Sequence, residues 1–272
     1  MTAATAMIAA QRSRGAAQVG LEQHAGRAAL RRLHQRGSAK AFVLTDAGNE
    51  TEVVFLNTSG GLTGGDRLDY AVTLAAGTRA TATTQTAERV YRSASGQARI
   101  EVRMELGCGA HLDWLPQETI LFDGGAAARR TTITLAPGAS CLMAETLILG
   151  RAAMGETLSR IAFTDQRLIR RGEHPLHMEA LALDSARLGD NPAGLSGARA
   201  LATVVMIAPG ATDALDPVRA ELSEPGVHAA ASAPAGRLVV RLMADDGWPL
   251  RRQLSRLIRL LRRAPNPRVW QD

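Results

Sequence analysis

The chain has 272 residues, 46% of them apolar, a formal net charge of +6 and two cysteines, Cys108 and Cys141. There is enough apolar material for one large domain, and no Pro/Ser/Gly-rich linker divides the middle of it. Two cysteines are too few for a disulfide scaffold or a Cys-rich zinc site, an aromatic content of 3% disfavours base stacking on single-stranded nucleic acid, and the basic balance favours an acidic protein partner.

Residues 1–15 read as a frayed tail and 16–272 as a single β-rich domain. Met1 to Ala10 are small and weakly apolar, and the arginines Arg12 and Arg14 follow them instead of preceding them, which is the wrong order for a signal peptide. Nothing later approaches the roughly twenty apolar residues of a membrane span. A cytoplasmic, reduced protein with no membrane association is expected.

The segment Leu56-Asn57-Thr58-Ser59-Gly60-Gly61-Leu62-Thr63-Gly64-Gly65-Asp66-Arg67-Leu68 packs four glycines and a carboxylate between apolar runs. A strand pattern follows it, with neither a helix nor a Lys-Ser/Thr pair, so it is not a phosphate loop. It reads as a tight backbone crossing that presents Asp66 at the rim of a sheet.

Up to about residue 184 the chain reads as short strands between glycine turns. Arg99 to Leu106 alternates charged and apolar side chains, a strand with one wet and one buried face. Leu74-Ala75-Ala76-Gly77-Thr78, Leu106-Gly107-Cys108-Gly109-Ala110 and Leu135-Ala136-Pro137-Gly138-Ala139 form a weak repeat at roughly thirty-residue spacing, the scale of a stacked supersecondary unit. The fold class is therefore mainly β, in layered β-helix-like or sandwich-like sheets, with about two α-helices near the C-terminus. Gly189 to Gly194 reads as a loop. One helix is expected near Asp213 to Ser223, entered at Asp216-Pro217 and stopped by Pro225-Gly226. The other runs from Pro249 to Arg263, with Leu250, Leu254, Leu257, Ile258 and Leu261 on one stripe. Those leucines should pack on the sheets and leave the intervening arginines solvated.

No Gly-x-Ser-x-Gly elbow, His-Glu-x-x-His helix or Cys-x-x-Cys pair is present. His174-Pro175-Leu176-His177 has two histidines three apart, but Pro175 opposes the helical geometry for shared ligation, and a surface turn is the simpler reading. The carboxylates carry more. Asp66 stands at the glycine turn, Glu88 and Glu118 in dense motifs, Glu145 inside Leu142-Met143-Ala144-Glu145-Thr146-Leu147-Ile148-Leu149, and Glu179 in His177-Met178-Glu179-Ala180-Leu181. An acid in so apolar a strand must be hydrogen-bonded, paired, ion-bound or wet. Arg89, Arg92 or Arg151 could be its partner, or several acids could line one internal polar passage.

Gln85-Thr86-Ala87-Glu88-Arg89-Val90-Tyr91-Arg92-Ser93, then Leu112-Asp113-Trp114-Leu115-Pro116-Gln117-Glu118-Thr119-Ile120-Leu121-Phe122, then Leu149-Gly150-Arg151-Ala152-Ala153-Met154-Gly155-Glu156 occur after the glycine segment. In order and spacing this run resembles the urease accessory protein D family, called H in some organisms, and the likeness extends through Gly197 to Thr203 and on to Pro267-Arg268-Val269-Trp270. The resemblance implies a urease maturation chaperone without catalytic turnover, a scaffold helping to insert nickel into apo-urease. Its implied partners are the urease apoprotein, accessory protein F and, through F, the accessory GTPase G, in an oligomeric accessory complex without nucleic acid. No cofactor is implied to bind tightly; nickel is in transit. Acidic positions matching Asp66, Glu145 and Glu179, with Glu118 a weaker fourth, are implied to line its passage, where oxygen donors would hold nickel loosely enough to release it. The alternatives from other classes are a β-solenoid hydrolase using acids such as Asp66 and Glu118, and a basic nucleic-acid-binding module.

Overall fold

The computed structural model describes residues 12–45, 50–151, 154–188 and 194–270. The chain alternates between two sheets. β1 (Arg14–His24) and β2 (Arg27–Gly37) form a hairpin in the first sheet, and β3 (Ala39–Leu44) and β4 (Thr51–Asn57) form one in the second. β5 (Arg67–Leu74) returns to the first sheet and β6 (Arg79–Thr84) to the second, where the short β7 (Glu88–Val90) follows. β8 (Ala98–Leu106), β9 (His111–Trp114) and the short β10 (Thr119–Leu121) make the next circuit; β11 (Gly125–Leu135) and β12 (Ser140–Leu149) make the third. β13 (Ile161–Arg171) and β14 (His174–Asp184) close the first sheet as a hairpin. β15 (Ala200–Ile207), β16 (Val227–Ser232) and β17 (Leu238–Ala244) extend the second, with α1 (Leu215–Glu221) between β15 and β16 and α2 (Gly247–Arg262) after β17.

The circuits stack in parallel. In the first sheet Leu74 pairs with Leu106, and Leu106 with Leu135, so the three repeat turns lie directly above one another. The corners are themselves hydrogen-bonded, Gly77 N–H to Cys108 O at 2.8 Å and Gly109 N–H to Pro137 O at 3.0 Å. Gly77, Gly109 and Gly138 sit at φ of +69°, +66° and +72°, which explains why glycine recurs at this corner. Alternation does the rest: along β8, Ile100, Val102, Met104 and Leu106 are buried, while Arg99, Arg103 and Glu105 face water. The β-helix-like alternative is therefore the correct one of the two layered readings.

Two apolar layers result. One fills the space between the sheets; the other lies on the outer face of the second sheet under α1 and α2, where Leu250, Leu254, Leu257 and Ile258 are buried. Asp246 caps α2 by accepting from Trp248 N–H at 2.7 Å, and Arg263 ends it in the left-handed region.

Three expectations are corrected. Strands continue beyond residue 184 as β15, β16 and β17. The tail does not extend to residue 15, because β1 starts at Arg14; residues 1–11 of it, like 189–193 of the expected loop, lie outside the described residues. The α2 arginines are also not all left to solvent: Arg252 and Arg259 are exposed, but several are ion-paired and the Arg262 side chain is 4% exposed. Arg256 pairs with Glu221 at 2.7 Å and with Glu224, which also takes Arg252, while Arg262 reaches Asp113 at 2.7 Å and Glu50 at 3.0 Å. Periodicity identifies the apolar stripe of a helix, but acids contributed by distant strands decide which of its arginines turn inward.

Candidate functional site

The inner faces of both sheets are mostly apolar, and their charged side chains gather at one level. Ile161, Phe163, Asp165, Arg167 and Ile169 share the inward parity of β13, and Ala127, Arg129, Thr131 and Ile133 that of β11. Register brings the polar ones together. Arg129 pairs with Asp165, Thr131 with Arg167 and Arg167 with Glu179 across the first sheet; Glu145 pairs with Thr203 and Thr203 with Arg241 across the second. Two polar rungs face each other through the core.

Side chains join them. Glu145, 1% exposed, accepts from Trp114 Nε1 at 2.9 Å and Thr131 Oγ1 at 2.8 Å on one oxygen; the other takes Arg167 Nε at 2.8 Å and lies 3.3 Å from Arg129. Arg129 grips Asp165 through two bonds, at 3.0 and 2.6 Å, and Arg167 also donates to Asp165. Arg167 then donates at 2.8 Å to Glu179, whose second oxygen accepts from Arg241 Nε at 2.9 Å. Three arginines balance three carboxylates, with every acid at least doubly bonded. Burial alone would raise the Glu145 pKa, but the Arg129 and Arg167 guanidiniums and two neutral donors overcome it and hold the carboxyl well below the ordinary range. Glu179, half-buried, is lowered against its own desolvation by Arg167 and Arg241.

At the Glu145 end this ionic layer borders a pocket of about 60 Å³, lined by Glu88, Tyr70, Trp114, Arg129 and Glu145, with Gly60 and Gly61 of the glycine segment in its wall. Desolvation raises the Glu88 carboxyl to about 7, against two hydrogen bonds from Asn57 Nδ2 at 3.1 and 3.2 Å and the nearby charge of Arg89; Asp66 adds a further push upward. The Tyr70 hydroxyl is likewise raised by burial and by Glu88. At the other end Glu179 and the mostly exposed Arg241 open the layer to solvent.

Of the four acids singled out in the sequence, Glu145 and Glu179 share this layer. Asp66 stands apart: one oxygen accepts Ser13 N–H and the other Thr63 N–H, both at 2.8 Å, so it ties the glycine turn to the entry of β1. Glu118 lies elsewhere, 3.6 Å from Arg251, in a pocket with Trp248 and Trp270 under the start of α2. Asp66 and Glu118 thus do not share a pocket as an acid/base pair. His174 and His177 belong to β14 and not to a turn; His177 is buried and His174 exposed. Among the described residues no cluster of three or more His, Cys, Asp or Glu side chains could hold a metal ion.

Sequence reasoning missed Asp165, Arg129 and Arg167. Their signal was available in the parity of Phe163-Thr164-Asp165-Gln166-Arg167, where two charges occupy positions that Ile161, Phe163 and Ile169 mark as inward.

Stacked parallel circuits around an internal ionic layer define a β-solenoid-like protein. A family model described as UreD urease accessory protein matches residues 13–271. The chain is 58% identical over 264 residues to the urease accessory protein UreD of Cereibacter sphaeroides (strain ATCC 17025 / ATH 2.4.3), covering 96% of each chain. It is 54% identical over 270 residues to UreD of Paracoccus denitrificans (strain Pd 1222), covering 98% of this chain and 95% of the relative. With UreD of Rhizobium etli it shares 41% identity over 273 residues, covering 99% of both. The chain belongs to the UreD urease accessory protein family, and its role lies in urease maturation as an accessory protein and not as an enzyme.

Proposed function

We propose that the chain is a scaffold for nickel insertion into apo-urease, working in a GTPase-driven accessory complex, and that nickel crosses it along the carboxylates between the sheets. The observation that carries this reading is the unbroken chain of polar contacts from the Glu88 pocket, through Glu145 and Arg167, to Glu179 at the surface. Isolated buried charge is expensive, and the guanidiniums of this layer keep its carboxylates ionised in the interior, the form that binds a divalent cation. Arg241, 59% exposed, is free to swing from Glu179 into water and leave that carboxylate to the ion. Carboxylate oxygens hold nickel(II) less firmly than nitrogen and sulfur donors, so each step is reversible.

In this reading Glu145 and Glu179 line the route, Glu88 lies at one end of it, and Asp66 acts through the turn it holds; Glu118 serves the α2 surface. The partners are the urease apoprotein, accessory protein F and, through F, the GTPase G, in an oligomeric complex in the cytoplasm. Among the described residues no helix is long and apolar enough to cross a membrane. Co-expression of apo-urease with F, G and this chain, followed by nickel-dependent ureolysis, tests the proposal. Activation should depend on this chain; full activation without it would overturn the scaffold role, and unchanged activation by a folded Glu179→Gln variant would overturn the route.

A further inference from the structure

Much of the net charge of +6 is not where the sequence concentrates its arginines. On α2, Arg251, Arg252, Arg256 and Arg262 all lie within ion-pair distance of carboxylates. β2 is different. It carries Arg27, Arg31, Arg32 and Arg36 and no acid, and from Leu30 to Gly37 every residue is exposed, on both faces of the strand. Arg31 lies 3.6 Å from Glu22, itself an exposed contact, while Arg27, Arg32 and Arg36 have no carboxylate partner among the described residues. Here, then, is a concentration of uncompensated positive charge on a single element.

The backbone of β2 is also unfinished. β2 is the last strand of the first sheet, bonded to β1 on one side only, and its other described hydrogen bonds are two: Thr51 Oγ1 donates to Ala28 O, and Ala41 N–H donates to the Gln35 side-chain Oε1. Leu30 and Leu33, 47% and 41% exposed, lie opposite buried Leu21 and Val19 of β1 and so continue the inner apolar face past the point where the second sheet covers it. An open strand edge, an apolar strip and a run of unpaired arginines together fit one kind of occupant.

We infer that β2 is a docking edge for an acidic, extended segment of a partner protein, which adds to the first sheet as an antiparallel or parallel strand with apolar residues on Leu30 and Leu33 and carboxylates against Arg32 and Arg36. A second copy of β2 is disfavoured, because like charges on two such edges repel. RNA fits less well, since no aromatic side chain on β2 offers a stacking platform. The inference concerns a surface away from the Glu145 layer and does not depend on nickel.

The test uses the full chain and a fluorescein-labelled octapeptide of alternating Glu and Val. Anisotropy should report saturable binding that weakens about tenfold or more in an Arg32→Glu/Arg36→Glu variant and falls as salt is raised. The same peptide N-methylated at alternate residues keeps its charge but loses backbone donors, and should bind much more weakly; hydrogen exchange of the β2 amides should slow only with the unmethylated peptide. The exposed double variant should retain the parent circular dichroism. Absence of peptide binding, equal binding of the N-methylated peptide, unchanged binding by the double variant, or tighter binding of labelled oligouridine than of the peptide would each overturn the inference.

Discussion

Glu145 of β12 and Arg167 of β13 belong to different sheets, yet the Oε2 of one accepts the Nε–H of the other at 2.8 Å in the middle of the molecule. The bond links the two polar rungs, and its removal has a stability cost that must be separated from any effect on nickel. Glu145→Ala leaves Arg167 and Arg129 with one acid fewer in a buried site. It should destabilise the chain by about 3–5 kcal/mol, the range for breaking a buried pair from one side. Glu145→Gln, which keeps the acceptor for Trp114 and Thr131, should cost less. Urea denaturation checks the order. The pH dependence has a defined sign: the folded pKa of Glu145 is depressed, so its contribution is present above the unfolded carboxylate pKa and is lost as pH falls below it. Acid titration of stability should therefore be flatter in Glu145→Gln than in the parent.

Glu179 is the acid at which function and stability can be separated. It is partly exposed, and Arg167 keeps Asp165 and Glu145 when Glu179 is neutralised. Glu179→Gln should change stability by no more than about 1 kcal/mol, as expected for a pair with solvent access. Urease activation should nevertheless drop in cells limited for nickel. Thermal melts of the variant beside ureolysis in the co-expression system supply both readouts, and parallel loss of fold and activation would assign Glu179 a structural role.

The glycine segment predicts a different hierarchy. A Cβ on Gly64 would stand 2.0 Å from Ser93 Oγ and 2.1 Å from the Ser95 carbonyl oxygen, while Gly65 sits at φ +90°. Asp66→Ala removes two hydrogen bonds to backbone N–H groups and leaves the crossing itself possible. Gly64→Val should thus be the most damaging, with Asp66→Ala costing about 1–3 kcal/mol for the two donors left unpaired. Soluble yield and melting temperature at equal expression measure the order. A harsher effect of Asp66→Ala would make its carboxylate, and not the close backbone approach, the reason for the segment.

Local and periodic features were legible in the sequence. Alternation in Arg99 to Leu106 defines β8, the Gly77, Gly109 and Gly138 corners define the stack, and the leucine stripe defines α2. A lone acid in the apolar run around Glu145 demanded hydrogen bonds, a charged partner, an ion or water, and the structure supplies the first two. Its partners were not legible: Arg92 pairs with Asp123 and Arg151 with Glu156, whereas Glu145 is met by Arg129 and Arg167 from neighbouring strands of the other sheet. Which arginine arrives is fixed by the stacking register, and a single sequence carries parity but not register between circuits. β15 escaped notice for a related reason. Ala200 to Ile207 is buried on both faces, between the sheets on one side and under the helices on the other, so it shows no alternation.

The final prediction concerns Glu88, whose pKa is raised by desolvation to about 7 within its pocket. For an acid with a raised folded pKa, the folded state binds the proton more tightly than the unfolded state. Its contribution to stability is therefore greatest below the unfolded pKa and is lost as pH rises toward 7. The groups facing it are Asn57, Arg89, Tyr70 and Asp66, and of these Asn57 and Arg89 favour the ionised form without overcoming burial. Glu88→Gln mimics the protonated carboxyl. Between about pH 5 and 7 its stability should rise relative to the parent, with the difference levelling above that window, as denaturant midpoints across pH would record. If cations enter the polar route past Glu88, the parent should also show nickel-dependent proton release near neutral pH that the Gln variant lacks. Calorimetry in buffers of different ionisation enthalpy measures that release without urease present. A pH-independent difference between the two proteins would mean that Glu88 is ionised throughout and that its burial is offset by its neighbours.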